Sequence, residues 1–167
     1  MLKLTGALLC VSACVAAGLN AYANEKKRLS ALLSLSQSFS AMRAELSATL
    51  APTPELLKAH AEGYAAVLLR NAQKGMERIG ETELEQIWAE ALELCPPLLR
   101  EDEKRVVRAL GAVLGRCTLE TQLQALSDAA ARLEERAEEL RRGLPAARRL
   151  SLGLPAAFGL LTAILLS

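Results

Sequence analysis

Two long stretches without charged residues stand near the ends of this chain, and they limit the folds it can adopt. The first runs from Leu4 to Ala23, and the second covers residues 150–167. A helix of about 18 residues is about 27 Å long, which is close to the thickness of a bilayer's hydrocarbon layer. The sequence therefore predicts three parts: a transmembrane helix over residues 1–23, a domain over residues 24–149, and a second transmembrane helix over residues 150–167.

The first stretch also carries two cleavage patterns. Ala21-Tyr22-Ala23 fits the small-residue pattern that precedes signal-peptidase cleavage. Val11-Ser12-Ala13-Cys14 resembles a lipoprotein site, at which the chain is cut and then acylated at Cys14. The segment is therefore retained as an anchor, cut after Ala23, or trimmed and lipidated.

Basic residues next to both stretches favour the retained anchor. They are Lys26, Lys27 and Arg28 after the first stretch, and Arg141, Arg142, Arg148 and Arg149 before the second. Lys and Arg close to a span stay on the cytoplasmic side. We therefore predict a two-pass protein of a bacterial cell membrane with a cytoplasmic central domain. The alternative is an exported or lipidated helical protein with a cleaved N-terminal signal, anchored by its apolar C-terminal tail.

The middle of the chain has the composition of a helical bundle. Leu and Ala dominate and aromatic residues make up 3% of the sequence, which favours helix over strand. All 19 acidic residues lie between Glu25 and Glu139, and of the 20 basic residues only Lys3 lies outside Lys26 to Arg149. This balance argues against a nucleic-acid partner, which needs a basic stripe. We expect an all-α fold, an antiparallel bundle of about five to six helices flanked by two terminal transmembrane helices.

Apolar residues at steps of three and four predict the helices of this middle part. The first continues from the membrane through Leu29, Leu32, Leu35, Phe39, Met42, Leu46 and Leu50. The second is capped by Thr53 and carries Leu57, Ala61, Tyr64 and Leu68 on one face. The third opens with a capping box, Thr82-Glu83-Leu84-Glu85, and holds Ile87, Trp88, Ala91 and Leu92. The fourth runs from about Glu101 to Gly115, with Val106, Val107, Leu110, Val113 and Leu114 facing inward.

The fifth predicted helix has the most regular pattern. Its apolar positions alternate steps of four and three, as in a heptad repeat: Leu119, Leu123, Leu126, Ala130, Leu133, Ala137, Leu140 and Leu144. Thr118 is its predicted N-cap. Because the first and fifth helices each lead into a predicted span, we expect them to lie side by side and antiparallel. We expect the heptad face to pack inside the bundle; the alternative is that it pairs with a second copy in a homo-oligomer.

Residues that could carry catalysis are few and scattered. The sequence contains no glycine-rich phosphate loop, no G-x-S-x-G and no H-E-x-x-H. Cys10 and Cys14 are four residues apart but have no further metal ligands near them in the sequence, and His60 is the only histidine. We therefore predict no catalytic, cofactor-binding or metal-binding residues, no small-molecule substrate and no enzyme activity.

Three segments together resemble a known family. They are the opening Met1-Leu2-Lys3-Leu4 with Gly6, the stretch RALGAVLGRCTLETQLQAL from Arg108 to Leu126, and the C-terminal RRLSLGLPAAFGLLTAILLS. In this order and over a matching length, they are similar to the stage III sporulation protein AB family. Thr118 stands near a position at which that family usually has an acidic residue.

The resemblance implies a role in endospore-forming bacteria, within a multi-protein complex that links mother cell and forespore. It also implies a central domain similar to the cytoplasmic domain of the type II secretion F protein. The protein itself is expected in the mother-cell membrane around the forespore. The implied partners are other stage III sporulation proteins, including a secretion-type ATPase. We therefore expect a non-enzymatic platform or scaffold subunit of a secretion-like channel complex, which docks partners on the side farthest from the membrane.

Overall fold

Helices make up every regular element that the structure describes. The computed structural model describes the backbone of residues 2–49, 55, 57, 62–80 and 82–166, and along its first and last helices the side chains of residues 12, 13, 16–49 and 119–145. The elements are α1 (Leu2–Thr49), α2 (Gly63–Gly75), a 3-10 turn (Met76–Arg78), α3 (Leu84–Glu93), α4 (Glu101–Val113) and α5 (Leu119–Leu166). The predicted all-α class is confirmed.

The chain divides into two compact units. One combines the two ends of the chain, Met1–Lys27 and Glu139–Ser167, and the other, called the helical unit below, is Arg28–Glu138. Among the residues that the structure describes, no helix combines the length and apolarity needed to cross a membrane. Most side chains of the predicted spans, 1–23 and 150–167, lie outside the described set. The two spans therefore remain predictions.

The core of the helical unit is built around Trp88 of α3. This side chain is fully buried, and its indole N–H donates a 2.7 Å hydrogen bond to the Val107 carbonyl of α4. The ring of Phe39 on α1 lies 6.5 Å from it between centroids. Gly111 of α4 lies so close that an added Cβ would be 2.8 Å from the Trp88 Cβ. One tryptophan therefore joins three helices.

Contacts along α3 and α4 show that the two helices are antiparallel. Trp88, in the middle of α3, contacts α4 at Val107 and Gly111. Glu93, at the end of α3, lies 2.7 Å from Arg108 and 3.8 Å from Lys104, which is nearer the start of α4 than either contact of Trp88. The start of α3 therefore lies level with the end of α4.

The last two helices also run in opposite directions. A short turn joins the end of α4 at Val113 to the start of α5 at Leu119. Asp102, at the start of α4, lies 3.9 Å from Arg136, which is about four to five turns into α5. The start of α4 is therefore level with the part of α5 that leaves the helical unit.

The helical unit consequently has two opposite ends. The boundary end is where α1 and α5 cross the limit of the unit, and it holds Arg28, Asp102, Glu103 and Arg136. The turn end lies at the other side and consists of residues 77–80, 82–85 and 115–120, which surround the start of α3 and the end of α4.

The predicted first helix is confirmed, and most of its inward positions are buried. Leu32, Leu35, Phe39, Met42 and Leu46 are all 5% exposed or less. Leu29 is half-buried, and Leu50 lies outside the described residues.

The predicted second helix is not continuous: Glu55 is helical, but the helix is interrupted at Glu62. The chain is extended at Glu62 (φ −116°, ψ 158°), and α2 begins at Gly63, whose φ is +58°. The Ser34 hydroxyl on α1 accepts a hydrogen bond from the Ala65 N–H (2.9 Å) and donates one to the Glu62 carbonyl (2.5 Å). This contact with α1 sets where the helix begins. The predicted cap, Thr53, lies outside the described residues.

The third helix exists but lacks the predicted capping box. α3 has Glu83 as its N-cap residue, with no hydrogen bond from a capping side chain. The carboxylates of Glu83 and Glu85 instead pair with Arg116 of the α4–α5 turn. The fourth helix is confirmed from Glu101, although it ends at Val113. Its inward residues are buried at Val107, Leu110 and Leu114, and half-buried at Val106 and Val113.

The fifth helix is confirmed, and the middle of its heptad face is covered by the helical unit itself. Leu126, Ala130, Leu133 and Ala137 are each 5% exposed or less, whereas Leu119 is 40% exposed. Burial at the middle of the face favours packing within one chain over pairing with a second copy. The Thr118 hydroxyl accepts a 3.4 Å hydrogen bond from the Thr121 N–H, as the predicted N-cap requires.

Candidate functional site

The boundary end contains a buried ion pair. Arg28 of α1 is 9% exposed and Glu103 of α4 is 1% exposed. The Arg28 Nε donates to both carboxylate oxygens of Glu103, at 3.1 and 3.2 Å, and the Arg28 Nη2 donates to Oε1 as well. Glu103 also accepts a 2.8 Å hydrogen bond from the Arg100 backbone N–H. Every charge in this pair is thus matched by a partner, as burial requires.

Consecutive carboxylates at the start of α4 hold both long helices. Glu103 binds Arg28 of α1, and Asp102 lies 3.9 Å from Arg136 of α5. A cleft of about 280 Å³ opens beside them, between α4 and α5. Its charged lining includes carboxylates of Asp102 and Glu135 and guanidinium groups of Arg132 and Arg136. With both signs of charge present, the cleft has no clear preference for an anion or a cation.

The turn end is built on a tightly bonded turn between α4 and α5. Gly115 has φ +75°, a left-handed conformation that suits glycine at the end of a helix. The Gln122 side chain accepts a 3.3 Å hydrogen bond from the Gly115 N–H and donates a 2.8 Å bond to the Cys117 carbonyl. These contacts explain three positions of the RALGAVLGRCTLETQLQAL stretch: Gly111 packs on Trp88, Gly115 makes the turn, and Gln122 braces it.

Arg116 links this turn to the start of α3. Its guanidinium group makes two contacts with the Glu83 carboxylate, at 3.1 and 3.2 Å, and lies 3.7 Å from Glu85. These side chains are about half exposed or more, so each pair contributes at most about 1 kcal/mol. The two contacts between Arg116 and Glu83 nevertheless orient the α4–α5 turn relative to the loop before α3.

Two aliphatic side chains project from the turn end. Ile79 is 52% exposed and follows the 3-10 turn, and Leu119 is 40% exposed at the start of α5. Among the glutamates of this end, Glu77 and Glu120 are exposed and make no ion pair with the residues that the structure describes. The turn end thus combines a braced backbone with exposed aliphatic and acidic groups.

Metal-binding and catalytic chemistry has little support at the described residues. They contain no group of three or more His, Cys, Asp or Glu side chains that could hold a metal. The side chains of Cys10, Cys14 and His60 lie outside the described set. Cys95 is buried, and its thiol donates a 3.3 Å hydrogen bond to the Ala91 carbonyl.

The two described cysteines should differ in reactivity. Burial raises the pKa of the Cys95 thiol, whereas Cys117 is exposed in the α4–α5 turn. We expect a maleimide to label Cys117 at least about tenfold faster than Cys95, because low accessibility and a small thiolate fraction both protect Cys95. Mass mapping of labelled peptides from the folded protein measures both rates. Equal rates would mean that the surroundings of Cys95, which include the Asn71 side chain of α2 at 4.0 Å from the thiol, open readily.

Sequence patterns did not identify the contact residues of either end. Arg28 served only as a marker of membrane topology, and Glu103 was one charge of an amphipathic helix. One signal was available: Glu103 stands three residues after the N-cap residue Arg100, where a glutamate often caps its own helix. The pairing of Arg116 with Glu83 has no local signal, since 33 residues separate them.

Comparison with known proteins supports the resemblance seen in the three sequence segments. The family model of stage III sporulation protein AB matches residues 3–167. No curated protein and no solved structure matches the chain. The family match includes the helical unit and both apolar ends. The chain therefore belongs to the stage III sporulation protein AB family.

Proposed function

We propose that this chain is a non-enzymatic membrane platform subunit of a secretion-like channel complex between mother cell and forespore. The family match over residues 3–167 carries this proposal, because it identifies a stage III sporulation protein. Its closest physical support is the helical unit, in which a single tryptophan and a buried ion pair hold several helices together. A braced unit of this kind suits a protein that acts by contact.

The proposed location is the mother-cell membrane around the forespore, with the helical unit in the cytoplasm. The support comes from the charge-free ends at 4–23 and 150–167 and from the basic residues beside them. Both basic clusters lie between the two charge-free stretches in the sequence. In the proposed topology, the chain therefore enters and leaves the helical unit from the same membrane. The proposed partners are other proteins of the complex, including a secretion-type ATPase that approaches from the cytoplasm.

The intact mass of the protein extracted from its native membrane tests the proposed topology. We expect a mass that runs from Met1, formylated or not, to Ser167, because the first apolar stretch is retained as a span. A chain that starts at Asn24, or at an acylated Cys14, would place the helical unit outside the cytoplasm. Either result would overturn the cytoplasmic platform and favour the exported or lipidated protein.

A further inference from the structure

The turn end lies on the opposite side of the helical unit from the boundary end. Arg28 and Arg136 lie at the boundary end, where α1 and α5 cross the limit of the unit. The 13 residues of α4 then carry the chain about 20 Å away from that end.

Acidic groups outnumber basic groups at this end. Its glutamates are Glu77, Glu83, Glu85 and Glu120, and its arginines are Arg78 and Arg116. Arg116 is already engaged by Glu83 and Glu85, and Arg78 lies 2.6 Å from Glu90 of α3. The charges left over are therefore negative. A surface of this sign attracts a basic partner and repels anionic lipids and nucleic acids.

The exposed aliphatic residues add a second kind of contact. Ile79 and Leu119 stand beside the two loops that Arg116 and Glu83 hold together. Apolar side chains that lose contact with water in a braced setting contribute strongly to protein interfaces. The backbone around them is already fixed by Gln122 and by the Ile79–Thr82 bridge. Binding therefore costs little ordering of the loops.

We infer that the turn end is the docking surface of this protein, and that its partner is a protein presenting a basic surface with an apolar centre. This inference rests on the proposed function, since it names the residues through which the platform would hold its cytoplasmic partner. Glu77 and Glu120 supply attraction for the basic groups, and Ile79 and Leu119 fill the apolar contact.

The test measures binding of the full-length chain in detergent to the purified secretion-type ATPase of the proposed complex. The charge variant is Glu77→Lys with Glu120→Lys, and its matched control is Glu134→Lys with Glu135→Lys. The control makes the same change of charge on exposed glutamates of α5 that lie toward the boundary end. Emission from Trp88, the only tryptophan and fully buried, checks that each variant is folded.

We expect the charge variant to bind about tenfold more weakly at low salt, and the control to bind as the unmodified chain does. The difference should disappear in about 1 M salt, where the screening length is about 3 Å. A second variant, Ile79→Ser with Leu119→Ser, should weaken binding about fivefold or more at every salt concentration.

Two results would count against these proposals in different ways. If the ATPase binds the unmodified chain and all variants equally, the docking surface lies elsewhere and the inference fails, while the platform function stands. If the ATPase does not bind the unmodified chain at any salt concentration, the proposed function fails and the inference fails with it.

Discussion

Replacing Glu103 by leucine should lower the free energy of unfolding of the helical unit by about 3–5 kcal/mol. The substitution leaves the Arg28 guanidinium group buried at 9% exposure without the carboxylate that it contacts through two nitrogens. It also removes the acceptor of the Arg100 N–H at the start of α4. Since a domain is usually stable by about 5–15 kcal/mol, this loss is a large fraction of the total.

Urea unfolding followed by Trp88 emission measures this effect. Asp102→Asn is the matched control: its ion pair with Arg136 is half exposed and 3.9 Å long, so we expect a loss below about 1 kcal/mol. The double variant Arg28→Met, Glu103→Leu should recover most of the stability, because two apolar residues replace two buried charges. A loss of less than about 1 kcal/mol for Glu103→Leu would show that water reaches the pair freely.

Substitution of Gly111 by alanine should destabilise the helical unit by about 1–3 kcal/mol, although alanine favours helix. The new Cβ would lie 2.8 Å from the Trp88 Cβ and 2.9 Å from two atoms of its ring. A buried indole ring has no room to turn away, so α3 and α4 must separate. The separation stretches the 2.7 Å hydrogen bond from Trp88 to the Val107 carbonyl.

Gly143→Ala provides the comparison for this substitution. Gly143 is also helical and exposed, and an added Cβ there would meet nothing within 4 Å. We expect the stability of the helical unit to be unchanged in this variant, because Gly143 lies outside Arg28–Glu138. The unfolding midpoint in urea and the emission wavelength of Trp88 report on both variants. A Gly111→Ala protein as stable as the Gly143→Ala protein would contradict the close packing of α3 on α4.

Local patterns in the sequence were sufficient to predict those helices whose regular apolar face is the face that becomes buried. The apolar steps of α1 from Leu32 to Leu46 and the start of α4 at Glu101 are two examples. In both, period and propensity agree with the final packing. The predicted second helix is instead interrupted at Glu62, because Ser34, on another helix, binds the backbone at Glu62 and Ala65. A contact between two helices therefore sets the start of α2, and no local pattern in the sequence predicts it.

The functional surfaces were harder to predict for the same physical reason. Arg28 and Glu103 are separated by 75 residues, and Glu83 and Arg116 by 33. Charged residues in a helix usually face water, and a single sequence does not reveal which of them will meet a partner. The expectation that docking occurs away from the membrane had no named residues. The turn end that we propose as the docking surface names such residues, because α3 and α4 are antiparallel and bring two loops together.

The ion pair at the boundary end also places a limit on when the helical unit can close during synthesis. Arg28 leaves the ribosome 75 residues before Glu103, and at about 5–20 residues per second this interval lasts about 4–15 s. Throughout this interval the buried pair cannot form, because the Glu103 carboxylate that binds the Arg28 guanidinium group has not yet been synthesised. In the growing chain, α1 therefore lacks its contact with α4 until the start of α4 has been synthesised. Ribosome pausing before residue 103 would prolong exposure of the apolar face of α1 that carries Phe39, the residue that later lies beside Trp88.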